Sequence, residues 1–369
     1  MNRRVLLIVV GFLTTMLAVS CAAPPSQPGG PDSAGPPIPA LGVSGTSLTL
    51  DGDPWWPIGL NAYQLATDWS VNAGCGAEVD LDTFFGRLPR PSLVRFNAYS
   101  SLAVNKHTGQ LDFSAIDAVV KAAERHGQML IAVLSNNEGS CEDGAYKDYR
   151  WYTDGWRTDV SPASPMTFEA WIDIAVRRWK DSPALVGWTA VGEPEPSTCR
   201  DARCDWTRRH CPPDAPDVLR AFFDATGAKI REIDPDTTIF SGHAGGGQCG
   251  AAGEAFEQVS ASPGVDVLEY HYYQGDDSLP GNAYDGLVRR TEQARAVNKP
   301  LLITEIGMKA GSCGSLEQRA RVLRDTFTEM RGHGTAGAMF WSFVPDPRPG
   351  ECTLDIGPND PLMRLVGAG

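Results

Sequence analysis

The chain has 369 residues, of which 42% are hydrophobic and 21% are charged, and its formal net charge is −13. These values are typical of a soluble globular protein, and the length suits one α/β barrel with insertions. The acidic residues are dispersed along the chain without a basic patch, so the sequence argues against nucleic acid as a partner.

The first residues have the pattern of an export signal. Arg3 and Arg4 precede an uncharged apolar run at 5–19, which is too short to span a bilayer comfortably. The sequence Leu-Ala-Val-Ser-Cys at 17–21 resembles the lipobox of bacterial lipoproteins. The resemblance implies that residues 1–20 are a removed signal peptide and that a lipid on Cys21 anchors the chain to a membrane. Cleavage near Cys21 without a lipid is the alternative, and either route predicts an exported protein.

Residues 21–43 contain seven prolines among Gly, Ser and Ala. Such a segment cannot build a core and is predicted to be an extended tether. The folded domain is therefore predicted at 44–369. Its first element is a predicted β-hairpin, because apolar runs at 47–50 and 55–60 flank Asp51 and Gly52.

Short apolar segments rich in β-branched residues then alternate with segments of helical spacing. One helical segment has Ile116, Val119, Val120 and Ala123 on one face and is predicted to end at Gly127. Eight alternations predict an α/β fold, a (β/α)8 TIM barrel with long loops at its C-terminal face, rather than a doubly wound sheet. The predicted strands are 57–61, 92–97, 129–134, 185–191, 237–241, 265–270, 301–304 and 336–341.

The cysteines lie mostly in the long loops that follow the strands. Eight remain when Cys21 is set aside, an even number that predicts up to four disulfides in an exported protein, with their pairing left open. Zinc is the alternative for Cys199, Cys204 and Cys211, but their spacing is not that of a CxxC pair and no histidine cluster follows. The eight are Cys75, Cys141, Cys199, Cys204, Cys211, Cys249, Cys313 and Cys352.

Two glutamates stand where predicted strands end. Glu193 follows the run Leu-Val-Gly-Trp-Thr-Ala-Val-Gly, and Glu305 follows Leu-Leu-Ile-Thr. The carboxyl ends of the strands are where a barrel places its chemistry. Two facing carboxylates are sufficient to cleave a glycosidic bond, because one donates a proton and the other attacks the anomeric carbon or activates water. Either glutamate alone would fit a surface carboxylate equally well.

The motifs around these glutamates resemble the retaining glycoside hydrolases of clan A, nearest to family 5 of the cellulase and β-mannanase type. They are Gly-Glu-Pro at 192–194, Glu-Tyr-His-Tyr-Tyr at 269–273, Ile-Thr-Glu-Ile-Gly at 303–307 and Met-Phe-Trp at 339–341. The resemblance extends from about residue 44 to the C-terminus. It implies that Glu305 is the nucleophile and Glu193 the acid/base, and that no metal or organic cofactor is needed. It also implies supporting roles for Arg95, His271, Tyr273 and Trp341.

The expected roles require different surroundings for the two carboxyl groups. Glu305 must be ionised to attack, so we expect Arg95 and Tyr273 to donate hydrogen bonds to it. Glu193 must hold a proton, so we expect a drier setting with a raised pKa. A structural ion pair with Glu269 is the alternative role for Arg95.

The aromatic residues have two interpretations. Trp341 is expected to offer its ring as a platform for a sugar, with ordinary core packing as the alternative. Four more tryptophans in the long loops are either further platforms or loop packing, namely Trp69, Trp151, Trp156 and Trp206.

One position departs from the family pattern. The family has an asparagine before the acid/base that binds the sugar 2-hydroxyl, and this chain has Gly192. Either another side chain supplies that hydrogen bond, with Asn97, Asn136 and Asn137 as candidates, or the sugar differs at C2. The sequence thus predicts a monomeric retaining hydrolase of an oligo- or polysaccharide such as β-mannan or β-glucan. The alternative is a catalytically weak or inactive carbohydrate-binding surface lipoprotein on the same barrel.

Overall fold

The computed structural model describes residues 35–199, 204–273 and 279–367. The predicted signal peptide, Cys21 and residues 21–34 of the predicted tether lie outside these ranges. Within them, no helix combines the length and the apolar character that a membrane crossing requires.

The described chain begins with a small antiparallel sheet of Leu41–Ser44, Ser47–Leu50 and Asp53–Trp55. The predicted hairpin is confirmed, and Asp51 and Gly52 turn with φ angles of 51° and 90°. The strand at Leu41–Ser44 was not predicted, and it belongs to a compact unit that begins at Gly35. Leu41 packs against a buried cluster that contains Leu48, and this contact holds the end of the proline-rich segment on the domain.

Eight parallel strands form the barrel, and we number them β1 to β8. Hydrogen bonds connect them in the order β5-β4-β3-β2-β1-β8-β7-β6, and a parallel bridge between Phe240 and Val267 joins β5 to the start of β6. The predicted (β/α)8 barrel is therefore confirmed. The strands are Ile58–Asn61, Leu93–Asn97, Met129–Val133, Leu185–Thr189, Thr238–Phe240, Leu268–Tyr273, Leu301–Gly307 and Ala338–Phe340.

Strand β6 differs most from its predicted position, because it both begins and ends three residues later than the segment 265–270. The aromatic residues at 270–273 continue the strand pairing with β7 up to the pair Tyr273 and Gly307. This extension decides where the motif at 269–273 lies, since His271 and Tyr273 are strand residues rather than loop residues.

Helices cover the outside of the barrel, as the alternation predicted. The helix at Ser114–His126 buries Ile116, Val119, Val120 and Ala123 and ends at Gly127, which has a φ of 64°. We number the main helices α1 to α7, and they are Leu81–Arg87, Ser114–His126, Phe168–Trp179, Ala215–Ile233, Ala255–Ser260, Leu287–Ala296 and Leu316–His333. Shorter helical turns lie at Ser100–Ala103, Trp151–Gly155, Trp156–Thr158, Trp206–Arg208 and Pro361–Arg364.

The loops at the carboxyl ends of the strands carry two short antiparallel pairings. Thr198–Cys199 pairs with Arg209–His210 in the loop after β4. Ala310–Gly311 of the loop after β7 pairs with Cys352–Thr353 of the loop after β8.

All eight loop cysteines form disulfides, so that prediction is confirmed and the zinc alternative is wrong. Three bonds join different loops at the carboxyl ends of the strands, and the fourth closes a hairpin within one loop. The pairs are Cys75–Cys141, Cys211–Cys249, Cys313–Cys352 and, within the hairpin, Cys199–Cys204.

We expect the loop-joining disulfides to stabilise the fold more than the hairpin disulfide. The double variant Cys313→Ser/Cys352→Ser opens a 39-residue separation, whereas Cys199→Ser/Cys204→Ser opens one of 5. A disulfide that closes a longer loop removes more conformational entropy from the unfolded chain. The first variant should therefore lose about 2 kcal/mol more free energy of unfolding than the second. Urea unfolding of both variants measures the difference, and equal losses would contradict the expectation.

Candidate active site

The carboxyl ends of the strands bring the predicted residues together. Arg95 lies on β2, His271 and Tyr273 on β6, and Glu305 on β7. Glu193 follows β4 after a short turn and has a φ of 55°, a left-handed backbone conformation that is uncommon for a glutamate and often marks a functional site.

The carboxylate of Glu305 is buried and accepts a hydrogen bond on each oxygen. Arg95 Nη1 donates to Oε1 at 2.8 Å, and the Tyr273 hydroxyl donates to Oε2 at 2.5 Å. The same Arg95 nitrogen lies 3.1 Å from Oδ1 of Asn61, the last residue of β1. Both expected donors to Glu305 are therefore in contact with it.

Arg95 also contacts Glu269, so its two proposed roles hold together. Arg95 Nη2 lies 3.7 Å from Glu269 Oε2. Glu269 is fully buried and accepts hydrogen bonds from the Gly242 N–H at 2.8 Å and from the Thr304 hydroxyl at 2.7 Å. The guanidinium thus lies between a structural carboxylate and the carboxylate of Glu305.

His271 links the two candidate catalytic carboxylates. Its Nδ1 lies 2.7 Å from Glu193 Oε1 and 3.4 Å from Glu305 Oε2. One oxygen of each glutamate and one nitrogen of His271 all lie within 4.8 Å of one another. The Glu193 side chain is 41% exposed, whereas the other two are buried, so it is Glu193 that faces the open side.

The pKa of Glu193 is lowered, whereas from the sequence we expected it to be raised. The atoms packed around the partly exposed Glu193 carboxyl act to raise this pKa by desolvation, but the hydrogen bond with His271 and the positive charges of His271 and Arg95 outweigh them and hold the pKa below its usual value. Burial raises the pKa of Glu305, although His271 and Arg95 oppose the rise. The two carboxylates in turn outweigh burial at His271 and raise its pKa. In the free site, the proton expected on Glu193 is therefore stabilised on its histidine partner.

The same three side chains are the group that could hold a metal ion among the described residues. Two carboxylates and an imidazole are donors that zinc accepts. However, Arg95 places a positive charge 2.8 Å from the Glu305 oxygen. This charge repels a divalent cation. The two carboxylates are therefore better suited to hold a protonated His271 between them than to bind a metal ion.

Strands β2 and β7, which carry Arg95 and Glu305, also lead to residues that line a cavity of about 500 Å³, among them Asn97 and Lys309. Trp341 and Tyr63 form part of its wall, with their rings stacked at a centroid distance of 5.7 Å and an interplanar angle of 19°. Asn97 and Asn136 line it as well, which places both within reach of a ligand there. Asn137 does not line it. Its side chain is buried, and its amide oxygen Oδ1 accepts a hydrogen bond from the Tyr152 hydroxyl at 2.6 Å.

Gly192 leaves room beside Arg95. A Cβ atom added at this glycine would have Arg95 Nη2 as its nearest neighbour at 3.5 Å, which is an ordinary van der Waals contact. The backbone of Gly192 pairs with that of Asn136 in a parallel bridge. The glycine is therefore not required by crowding at Cβ.

The loop tryptophans divide into two groups. Trp156 is buried against Phe222 of α4, and Trp151 is half-buried against the same ring, so both pack the loop after β3 onto α4. Trp69 and Trp206 are 48% and 75% exposed.

Sequence reasoning missed Asn61 and Tyr63. Asn61 donates to the carbonyls of Thr304 and Phe340 and so ties β1 to the middle of β7 and the end of β8. A polar residue that ends an apolar strand was the available signal, the same one that identified Arg95. Tyr63 carried no comparable signal, because its partner Trp341 is 278 positions away.

Comparison with known proteins identifies the family. Residues 92–346 match the family described as Cellulase (glycosyl hydrolase family 5). The chain belongs to glycosyl hydrolase family 5. This family 5 protein is a glycoside hydrolase of the retaining type that acts on β-glycosidic bonds of polysaccharides, as the sequence predicted.

Relatives of this family 5 enzyme agree with the assignment. It is 26% identical to a probable mannan endo-1,4-beta-mannosidase F of Aspergillus flavus, with 85% of this chain and 68% of the relative covered. It is 23% identical to mannan endo-1,4-beta-mannosidase A of Podospora anserina, with 89% and 87% covered. The solved endo-1,4-beta-mannanase of Rhizomucor miehei has the same fold, with a TM-score of 0.63, 20% identity, and 88% and 96% of the two chains covered.

We expect the variant His271→Phe to raise the pKa values of both Glu193 and Glu305. The phenyl ring keeps the volume but removes the hydrogen bond and the charge that oppose burial at the two carboxyl groups. Carbon NMR of glutamate-labelled protein over a pH series measures both values. The matched control is His126→Phe, because His126 lies on α2 and pairs with Asp82. Unchanged pKa values in His271→Phe would contradict the electrostatic account.

Proposed function

We propose that this enzyme hydrolyses β-1,4-linked mannan or a related β-glucan by double displacement, with Glu305 as nucleophile and Glu193 as acid/base. The observation that carries the proposal is the distance between the two carboxylates. The closest approach of a Glu193 oxygen to a Glu305 oxygen is no more than 4.8 Å, which fits the narrower of the two separations found in glycoside hydrolases. Retaining hydrolases have about 5–5.5 Å between their carboxyl groups, and inverting ones about 6.5–9.5 Å to admit a water molecule.

In the first step, an oxygen of Glu305 attacks the anomeric carbon while the bond to the leaving oxygen breaks. The Glu305 charge persists despite burial because Arg95 and Tyr273 donate to its two oxygens. Glu193 gives a proton to the leaving oxygen. His271 supplies that proton. Its Nδ1 lies 2.7 Å from Glu193 Oε1, so the proton passes directly from the histidine to the glutamate when substrate covers the site.

In the second step, Glu193 takes a proton from water, and the water oxygen replaces Glu305 on the anomeric carbon. The covalent bond has removed the charge of Glu305, and His271 has given up its proton in the first step, so the positive charge of Arg95 then acts on Glu193 alone. The proton taken from water passes back from Glu193 to Nδ1 of His271, which restores the starting state of the site. Two inversions at one carbon return the original β configuration.

The substrate proposal rests on the relatives, several of which are named mannan endo-1,4-beta-mannosidases. The lining of the cavity supports a polymer of neutral sugars, because Trp341 and Tyr63 offer aromatic surface and Asn97 and Asn136 offer amides. The two amides are our candidates for the hydrogen bond that Gly192 does not make. No step of the proposed mechanism uses a cofactor, and one chain supplies every proposed residue, so we propose a monomer.

We also propose that the chain is an exported lipoprotein with a lipid on Cys21. The lipobox-like sequence at 17–21 and the four disulfides support export to an oxidising compartment. The domain arrangement proposed is a signal peptide at 1–20, a tether, and the catalytic barrel.

We expect Glu193→Gln to lower kcat/KM on β-mannan by about 10²- to 10⁴-fold, and less on an aryl glycoside whose leaving group needs no proton. Glu305→Gln should abolish turnover on both substrates. The control is Glu138→Gln, because Glu138 is exposed at the rim and pairs with Arg209. Proton NMR of the wild-type reaction should show the β anomer first. The α anomer would contradict the role of Glu305, and binding without hydrolysis of any polysaccharide would favour the carbohydrate-binding alternative.

We expect Cys21→Ser to release the enzyme from the membrane. Detergent phase partition of the protein expressed with its full N-terminus in a bacterium should place the wild type in the detergent phase and the variant in the aqueous phase. Identical partition of the two would contradict lipidation.

A further inference from the structure

The strands that lead to the lining of the cavity of about 500 Å³ indicate which part of the sugar chain it receives. Its wall comes from residues that follow β1, β2, β3, β7 and β8, and in the described ranges none of its lining residues follows β4, β5 or β6. Glu193 follows β4, where the proposed leaving group departs. If the proposed function holds, this cavity receives the glycon, which is the part of the sugar chain that becomes attached to Glu305.

A second cavity, of about 350 Å³, adjoins the first and has four prolines in its lining. The two cavities share Arg348, Thr353 and Asp355 as lining residues. Arg348 and Asp355 form a two-pronged ion pair, with Nε to Oδ2 and Nη2 to Oδ1 both at 2.9 Å. The ion pair therefore stands between the two cavities.

The two partners of this pair differ in their freedom to move. Asp355 is largely buried, and its second contact is the Arg348 N–H at 3.0 Å. The surrounding loop is fixed by the disulfide Cys313–Cys352 and by strand pairing to Ala310–Gly311. The Arg348 side chain is 58% exposed, with Glu351 as a further partner at 3.4 Å. Arg348 can be removed without opening the core.

We propose that the Arg348–Asp355 ion pair is a partition that closes the glycon end of the cleft and limits how many sugar residues it holds there. The ligand is a neutral β-linked oligosaccharide, whose terminal hydroxyls meet the polar atoms of the pair. Without the arginine, the two cavities become one groove, and a longer glycon gains contacts in the second cavity. The inference rests on the proposed function for the direction of the chain.

The test is the cleavage pattern of manno- and cello-hexaose labelled at the reducing end. Arg348→Ala should shift the ratio of cleaved bonds toward products with a longer glycon by about three- to tenfold, the gain from one or two new polar contacts. The matched control is Arg177→Ala on α3, because Arg177 is 60% exposed and pairs with Asp173 in the same manner. Adding Asn359→Trp, an exposed position that lines the second cavity, should reverse the shift.

An unchanged cleavage ratio in Arg348→Ala, with folding verified by its melting temperature, overturns the partition. So does a shift that Asn359→Trp fails to reverse. Loss of the proposed function itself would appear as a wild type that cleaves neither hexaose. In that case calorimetric binding of tetraose and hexaose decides, because Arg348→Ala should raise the affinity for the hexaose relative to the tetraose, and equal affinities would overturn the inference.

Discussion

The burial of one positive charge organises the active-site end of this barrel. Arg95 is enclosed at the carboxyl end of β2, and a buried cation is tolerated only when it is paired and hydrogen-bonded. Glu269 and Glu305 provide the charges, and each needs its own donors in turn. The Gly242 N–H bonds to Glu269, and the Gly242 carbonyl accepts from the Glu193 N–H, both at 2.8 Å. Through this one glycine, the network around Arg95 also fixes the backbone of the second carboxylate.

Gly242 can do this only as a glycine. It has a φ of 75°, and a Cβ atom there would lie 1.9 Å from the carbonyl oxygen of Val191. The close approach brings the chain after β5 against the chain that leads to Glu193. The position of Glu193 is thus set by backbone contacts, whereas its protonation is set by His271. The separation matters for the proposed acid/base role, which requires Glu193 to gain and lose a proton in each cycle without moving.

The sequence was sufficient to predict the barrel and most of the residues around Arg95. Buried β-branched segments mark the strands, and polar residues that interrupt them, such as Arg95 and Glu305, stand out for that reason. The rest depended on distances that only the closed barrel creates. The stacking of Tyr63 on Trp341, the pairing of the cysteines and the strand at Leu41–Ser44 all join segments that are unrelated in sequence. The lowered pKa of Glu193 was missed because the motif reveals that His271 is present but not that its Nδ1 bonds to Glu193.

The space beside Gly192 adjoins the hydrogen-bond network around Arg95. A Cβ atom at this position would contact Arg95 Nη2 at an ordinary distance, and the bridge to Asn136 is made by main-chain atoms. The buried network around Arg95 and the space beside Gly192 are therefore adjacent but separate. In evolutionary terms, a residue with a β-carbon can replace this glycine without displacing the buried arginine.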